Sequence, residues 1–424
     1  MNIKKYFPIL ALTFVNIIGF TLLIPILPGL VAQYAEPQYV SILYGALLSS
    51  YAFFQFLGSP VLGSLSDRFG RRPILFVSQF GTLLSWVIFG IGLLLPDYRI
   101  AGISLPLVVI AFSRVTDGIT GGNISVAQAW ISDVTSKEEK GKTFALMGGI
   151  FGFGFLIGPA LGGFTSSTSL GYMGSVIAAF LISLLTLGLI AWQLPESLPE
   201  EKREKELELD VWQEINIFKQ LEKFRHNRLV HTLLNLRIIY ALVFASYTTI
   251  IILFLERAYN LDARGLGIVL SLIGVFSIVN QIFISAPLSK KIGNLRSLLL
   301  GIGILSAGLA TIPFLPTDIS WRGIPVDLVI FMINAFFINL GLSIGQPTFQ
   351  AIITNSVSEK RQGAIMGLDA SLLAVGQSIS PIMAGALFSA FGNGLFFLYA
   401  IFLASPYLWA WWQGIFNLAE NHVE

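Results

Sequence analysis

The chain contains no cysteine, which excludes disulfides, thiolate metal sites and cysteine nucleophiles. Histidine is nearly as scarce: His226 lies in a charged linker, His231 at the edge of an apolar run and His422 near the end of the chain, so no metal site is expected. Charge is thin as well. Asp, Glu, Lys and Arg make up 12% of the 424 residues, against about 25% in an ordinary soluble domain. No phosphate-binding loop, H-E-x-x-H pair or nucleophile elbow occurs, so neither an enzyme nor a bound cofactor is expected. The net charge of +2 gives no nucleic-acid footprint, because the basic residues lie between apolar runs rather than in one patch.

What fills the chain instead is apolar: 54% of residues are hydrophobic. The runs are long enough to cross a hydrocarbon core of ~30 Å as helices. Twelve spans are expected, at 7–32, 39–65, 74–95, 103–131, 141–164, 170–193, 231–255, 265–289, 296–315, 325–353, 361–388 and 393–416. The first is too long for a signal-peptide core and lacks an A-x-A cleavage site, so it reads as an uncleaved span. Twenty Lys and Arg fall in the termini and loops of one face, against Arg99, Arg257, Arg264 and Arg322 on the other. Basic loops resist translocation, which places both termini in the cytoplasm. The fold expected is an all-α polytopic membrane protein of twelve transmembrane helices.

Between Pro195 and Arg228 the composition turns to charge, dividing the spans six and six. Val211, Ile215, Phe218 and Leu221 recur there at helical spacing, as in a helix lying on a lipid surface. The expected organisation is a bundle at 1–194, a linker at 195–230 and a bundle at 231–424. The halves repeat. An offset of 222 residues aligns Gln128–Gly141 with Gln350–Gly363 without a gap and pairs Gly154, Pro159 and Gly163 with Gly376, Pro381 and Gly385.

Two motifs carry a resemblance. The loop G-S-L-S-D-R-F-G-R-R-P, Gly63 to Pro73, joins spans 2 and 3, and its pattern Gly63, Asp67, Arg68, Gly70, Arg71, Arg72 resembles the signature loop of the major facilitator superfamily. Span 5 carries Gly154, Gly158, Pro159, Gly162 and Gly163; small residues at this spacing make a flat packing face. The ending G-x-x-x-G-P-x-x-G-G resembles the motif of the superfamily's drug:proton antiporter branch, the tetracycline exporters included. The resemblance implies two pseudo-symmetric six-helix bundles and alternating access to one central site. It also makes the loop a conformational latch, in which Asp67 would cap the start of span 11 near Lys360. The second half keeps Gly293, but Lys290 replaces the aspartate.

Span 4, S-R-V-T-D-G-I-T-G-G-N, sets Arg114 and Asp117 three residues apart on one helix face, deep in the apolar run. A charge there costs at least ~2.5–3.5 kcal/mol. Two readings stand: mutual neutralisation that locks the bundle, or a proton relay in which a proton or substrate displaces the pair. An arginine here resembles the family's span-4 motif, associated with proton coupling. Asp369, in span 11, has no cation near it in sequence and is expected to carry a proton much of the time, with a structural or a coupling role. Asn16 stands where many antiporters of this kind have an aspartate. The tetracycline exporters also carry acidic groups in spans 3 and 9, which here have none, so tetracycline itself is in doubt.

Asn16, Gln55, Asn123, Gln128, Tyr247, Asn280, Gln281, Asn339 and Gln346 are candidate cavity residues, with Tyr240 and Asn334 beside them; such polar groups are more often helix–helix hydrogen bonds than ligand contacts. With 34 Phe and little charge, the cavity should suit amphiphiles rather than phosphorylated solutes. The function expected is proton-coupled efflux of small amphiphiles by a monomer in a bacterial inner membrane. An uptake symporter, a uniporter and a transport-inactive sensor of the same fold remain open.

Overall fold

The structure, a computed structural model, describes residues 3–100, 102–135, 140–203, 221–222, 227–321, 324–357 and 359–415. The amphipathic stretch at 211–220 lies outside them. Every expected span is helical. Span 1 is a broken pair, Ile3–Leu23 and Leu27–Tyr34, bent by 47° beside Pro25 and Pro28. Spans 2 and 3 are Val40–Phe69 and Arg71–Leu94, spans 5 and 6 Lys140–Ser166 and Tyr172–Gln193. Span 7 is Arg228–Tyr259, span 9 Asn294–Thr311, span 10 Val326–Asn355, span 11 Glu359–Phe391 and span 12 Gly394–Trp412.

Spans 4 and 8 depart from simple helices. Span 4 breaks into Leu105–Gly121 and Ile124–Val134. The carbonyls freed at the break are taken by side chains: Gln55 Nε2 donates to Gly121 O at 3.1 Å, and Ser59 and Ser125 hydroxyls donate to Gly122 O at 3.3 and 2.9 Å. A broken helix survives in hydrocarbon only where its backbone is satisfied in this way. Span 8 runs through Ala263–Val279, a π-helical stretch Asn280–Ser285 and Ala286–Ile292. Among the described residues nine helices are long and apolar enough to cross a membrane, ten with the bent pair counted as one. Outward residues such as Leu185, Trp192, Phe283 and Trp412 are exposed, as expected where the solvent is lipid.

The chain divides into two compact units, Met1–Ile215 with Leu261–Ser271, and Asn216–Asn260 with Leu272–Glu424. In the first, span 1 packs on spans 5 and 6, span 4 on spans 2 and 3, and span 3 on span 6. In the second, span 7 packs on spans 11 and 12, span 10 on spans 8 and 9, and span 9 on span 12. The pairing repeats six spans on, as the 222-residue offset predicts. The turns repeat too. Gly70 and Gly293, with φ of +96° and +82°, connect the second span of each half to the third. A two-residue hairpin follows the third span of each, Arg99–Ile100 with Ile103–Ser104 and Ser320–Trp321 with Ile324–Pro325.

Close packing does the work that water exclusion does in soluble proteins. Gly154, Gly158 and Gly162 face Ile17, Thr21 and Leu22 of span 1 so closely that a Cβ on any of them would enter a neighbour. Thr21 Oγ1 donates to Gly154 O at 3.1 Å. Gly163 meets Ala263 and Gly267 by the same logic, which explains why the first turns of span 8 belong to the first unit. Beneath this face Ile9, Leu12, Leu75, Trp130 and Ile190 form a buried cluster. In the second unit, rings of Phe254, Tyr259, Phe331 and Phe396 interlock with centroids 5.7–6.0 Å apart.

Candidate functional site

Helix geometry brings Arg114 and Asp117 onto one face of span 4, and packing against span 3 closes over them. Arg114 Nη1 lies 3.2 Å from Asp117 Oδ2, with the two residues 2% and 4% exposed. The guanidinium sits 5.0 Å from the Trp86 ring centroid and 5.3 Å from that of Phe89, a cation–π cradle that partly replaces its hydration. Thr82 and Ser85 lie within hydrogen-bond reach of the carboxylate. Arg114 Nη2 donates to Ser113 Oγ at 3.3 Å, while Nε has no partner among the described residues. The pair is therefore held by a single contact and is incompletely satisfied.

The break in span 4 places Asn123 against span 1, where Asn16 Nδ2 donates to Asn123 Oδ1 at 2.6 Å. Asn123 Nδ2 is left without a described partner. Gln55 donates to Tyr51 OH at 3.1 Å as well as to Gly121 O, and Tyr51 stacks on Phe20 with centroids 5.2 Å apart. The structure thus joins Asn16 to Asn123 and Gln55 to the span-4 break. Gln128 is exposed and joins none of them.

Asp369 requires a correction. It does not lack a cation: Arg237 of span 7 donates through Nε to Oδ1 at 2.6 Å and through Nη2 to Oδ2 at 3.0 Å. The residues are 132 apart in sequence, beyond the reach of any local spacing rule. Both are buried, with side chains 1% and 3% exposed. Arg237 lies 5.3 Å from the Tyr240 ring centroid and 5.2 Å from that of Phe349. Its Nη1 and the Tyr240 hydroxyl have no partner among the described residues. Arg237 is the residue that sequence reasoning missed. The signal was there, since an intramembrane arginine calls for a partner, but that partner lies 132 residues away in sequence.

In the π-helical stretch, Asn280 Nδ2 donates to Phe336 O at 3.2 Å, while Oδ1 has no described partner. Tyr247 and Asn339 are buried, Gln346 half-buried and Gln281 exposed. Asn334 is used structurally, donating to Thr311 Oγ1 at 2.6 Å.

The stretch expected as a loop, Gly63–Arg72, is helical on both sides of one turning residue, Gly70, and Arg71 is the centre of its side-chain contacts. Arg71 is buried, with Nη1 2.7 Å from Asp67 Oδ1 and Nε 3.2 Å from Asp133 Oδ2. The carboxylate that caps a helix here is Glu196, which accepts from the Arg71 and Arg72 backbone N–H groups at 2.9 and 3.2 Å, at the start of span 3. Gly70 leaves room for it: a Cβ there would collide with Glu196 Oε2. Arg72 reaches Ala191 O at 2.5 Å, and Arg68 lies 5.3 Å from the Phe69 ring centroid. The Lys360 side chain, expected near the recipient of Asp67, is outside the described residues.

Helices that span a membrane, breaks satisfied by side chains and buried ion pairs within each unit define an all-α polytopic membrane protein. The Major Facilitator Superfamily profile matches residues 9–324 and 238–415, and the chain belongs to that family. It is 29% identical over 385 residues to the class C tetracycline resistance protein of Escherichia coli, covering 90% of this chain and 89% of that one. It is 25% identical over 439 residues to Major facilitator superfamily domain-containing protein 10 of Mus musculus, covering 93% and 90%. Among solved structures it is similar to a D-xylose–proton symporter, with a TM-score of 0.71, 15% identity and 96% of each chain covered. It is also similar to the human organic anion transporter MFSD10, with a TM-score of 0.69, 21% identity and 96% and 98% covered. Fold and family are those of transporters.

Proposed function

We propose that the chain is a secondary transporter that exports small amphiphilic compounds in exchange for protons by alternating access, in a bacterial inner membrane with both termini cytoplasmic. The observation that carries this reading is the buried Arg114–Asp117 pair. Asp117 is tied to its arginine by one contact of 3.2 Å, whereas Asp369 is gripped by two, at 2.6 and 3.0 Å. The carboxylate held more weakly by its arginine is the better proton carrier, because less charge-assisted hydrogen bonding is lost when it is neutralised, and the Thr82 and Ser85 hydroxyls beside it can hydrogen-bond either form. Asp369 then serves to hold spans 7 and 11 together, and the Gly63–Arg72 loop is the latch. Similarity to tetracycline resistance proteins over 90% of the chain supports export.

The test is accumulation of fluorescent amphiphiles in efflux-deficient bacteria, with wild type or Asp117→Asn, with and without a protonophore. Lowered accumulation that both the mutation and the protonophore abolish supports the reading. Equal accumulation across a broad panel with wild type and variant removes it.

One observation favours a second reading, transport of an organic anion. Arg237 Nη1 and the Tyr240 hydroxyl are buried donors without described partners, with the guanidinium over the Tyr240 ring, and an anionic acceptor is the partner their chemistry calls for. Including anionic and cationic dyes in the same panel separates the two readings.

A further inference from the structure

The second unit holds a groove of ≈ 340 Å³ between spans 7, 11 and 12, separate from both ion pairs. That volume lies within the range of small-molecule sites, about 300–1,000 Å³. Its walls are apolar except for three hydroxyls, those of Ser246, Ser380 and Tyr399. Ser246 and Tyr399 lie within hydrogen-bond reach of each other. Ser380 does not share in this: it lines the groove, is 2% exposed, and its Oγ has no partner among the described residues. Serine in a helix ordinarily donates to the carbonyl four residues back, as Ser378 does to Ala374 O at 2.7 Å. The groove opens outward past Met383, Leu398 and Phe402, which are 52%, 45% and 48% exposed, so what fills it comes from the bilayer.

We propose that this groove is a bilayer-facing binding site for uncharged amphiphiles that carry a hydrogen-bond acceptor, which Ser380 engages. The proposal rests on the amphiphile-transport reading and names the route by which its substrates first meet the protein. Depth selects the occupant. Ser380 lies eleven residues from the end of span 11 at Phe391, about 16 Å along the helix. A phospholipid keeps its ester carbonyls near the headgroups, so at Ser380 it offers only methylene groups and leaves the hydroxyl unpaired. A compound dissolved in the hydrocarbon, with a carbonyl or ether on an aromatic or aliphatic body, fills the groove and satisfies the hydroxyl together.

The test uses benzophenone, an uncharged amphiphile whose carbonyl accepts a hydrogen bond and which inserts into nearby C–H bonds on irradiation. Full-length protein in nanodiscs is irradiated with it and the adducts are located by peptide mass spectrometry. Adducts should concentrate on Met383 and its neighbours in spans 11 and 12, fall about fivefold in Ser380→Ala, and return in Ser380→Thr. Leu387→Trp, which fills the groove, should remove them. Diphenylmethane, which lacks the carbonyl, should compete equally in wild type and Ser380→Ala. Adducts spread evenly over all lipid-facing spans overturn the proposal, as does unchanged labelling in a folded Ser380→Ala protein. Labelling retained in Asp117→Asn while export is lost shows the groove working apart from coupling. Labelling as predicted with no export in wild type removes the transport reading and leaves the site standing.

Discussion

Breaking the Arg237–Asp369 pair should cost unequally depending on which partner is removed. In Asp369→Ala, Arg237 keeps a charge that it cannot shed. It remains 1% exposed between the Tyr240 and Phe349 rings, having lost hydrogen bonds of 2.6 and 3.0 Å. An orphaned buried charge of this kind costs about 3–5 kcal/mol. In Arg237→Met the remaining carboxyl can become neutral by taking a proton. Its cost is then that of unsatisfied polar atoms, about 1–3 kcal/mol. In the double variant Arg237→Met/Asp369→Leu, apolar groups of similar bulk replace both partners and stability should return to within about 1 kcal/mol of wild type. Equilibrium unfolding of purified protein in mixed micelles measures all four proteins. The expected order is Asp369→Ala well below Arg237→Met, with the double variant above both. If the single costs simply add in the double variant, within about 0.5 kcal/mol, the pair is not a coupled unit and the reasoning fails.

Gly162→Ala should destabilise by about 1–3 kcal/mol, because its Cβ would land on the Leu22 backbone, which cannot yield. Gly303→Ala, where nothing lies within 4 Å, should be neutral or mildly stabilising; thermal midpoints of the two proteins decide. Glu196→Ala removes the acceptor of two backbone N–H groups at the start of span 3. It should lower stability by about 1–2 kcal/mol, measured the same way, and the effect vanishes if Arg71 and Arg72 are capped by another group. Arg71→Ala, which strips partners from Asp67 and Asp133, should lower the midpoint more than Arg72→Ala, whose side chain is exposed.

The fold was largely legible in the sequence, because its determinants are local. Runs of apolar residues set the spans, and polar and turn residues at a 222-residue offset marked the repeat that the helix pairings show. The Arg114–Asp117 pair was legible for the same reason, since three residues on a helix fix its geometry. What escaped depends on packing between distant segments. Arg237 meets Asp369 only once span 7 lies on span 11. Asp133 and Glu196 reach Arg71 only when the ends of spans 4 and 6 converge on the loop. Side-by-side spans also explain a difference between the halves. Span 5 meets span 1 through Gly154, Gly158 and Gly162, while the equivalent spans 11 and 7 meet through Gly376 against Ala241 and add an ion pair. One architecture thus carries a charge within span 4 in the first half and between spans in the second.

Proton movement driven by substrate tests the central claim most directly. Wild type and Asp117→Asn would be reconstituted into proteoliposomes enclosing a pH-sensitive dye, and a fluorescent amphiphile that wild type exports from cells would be applied as a gradient. A proton counterflow with wild type, absent with a stably folded Asp117→Asn protein, is the predicted result. Equal proton flux per substrate molecule in both proteins would contradict the assignment of Asp117 as the carrier.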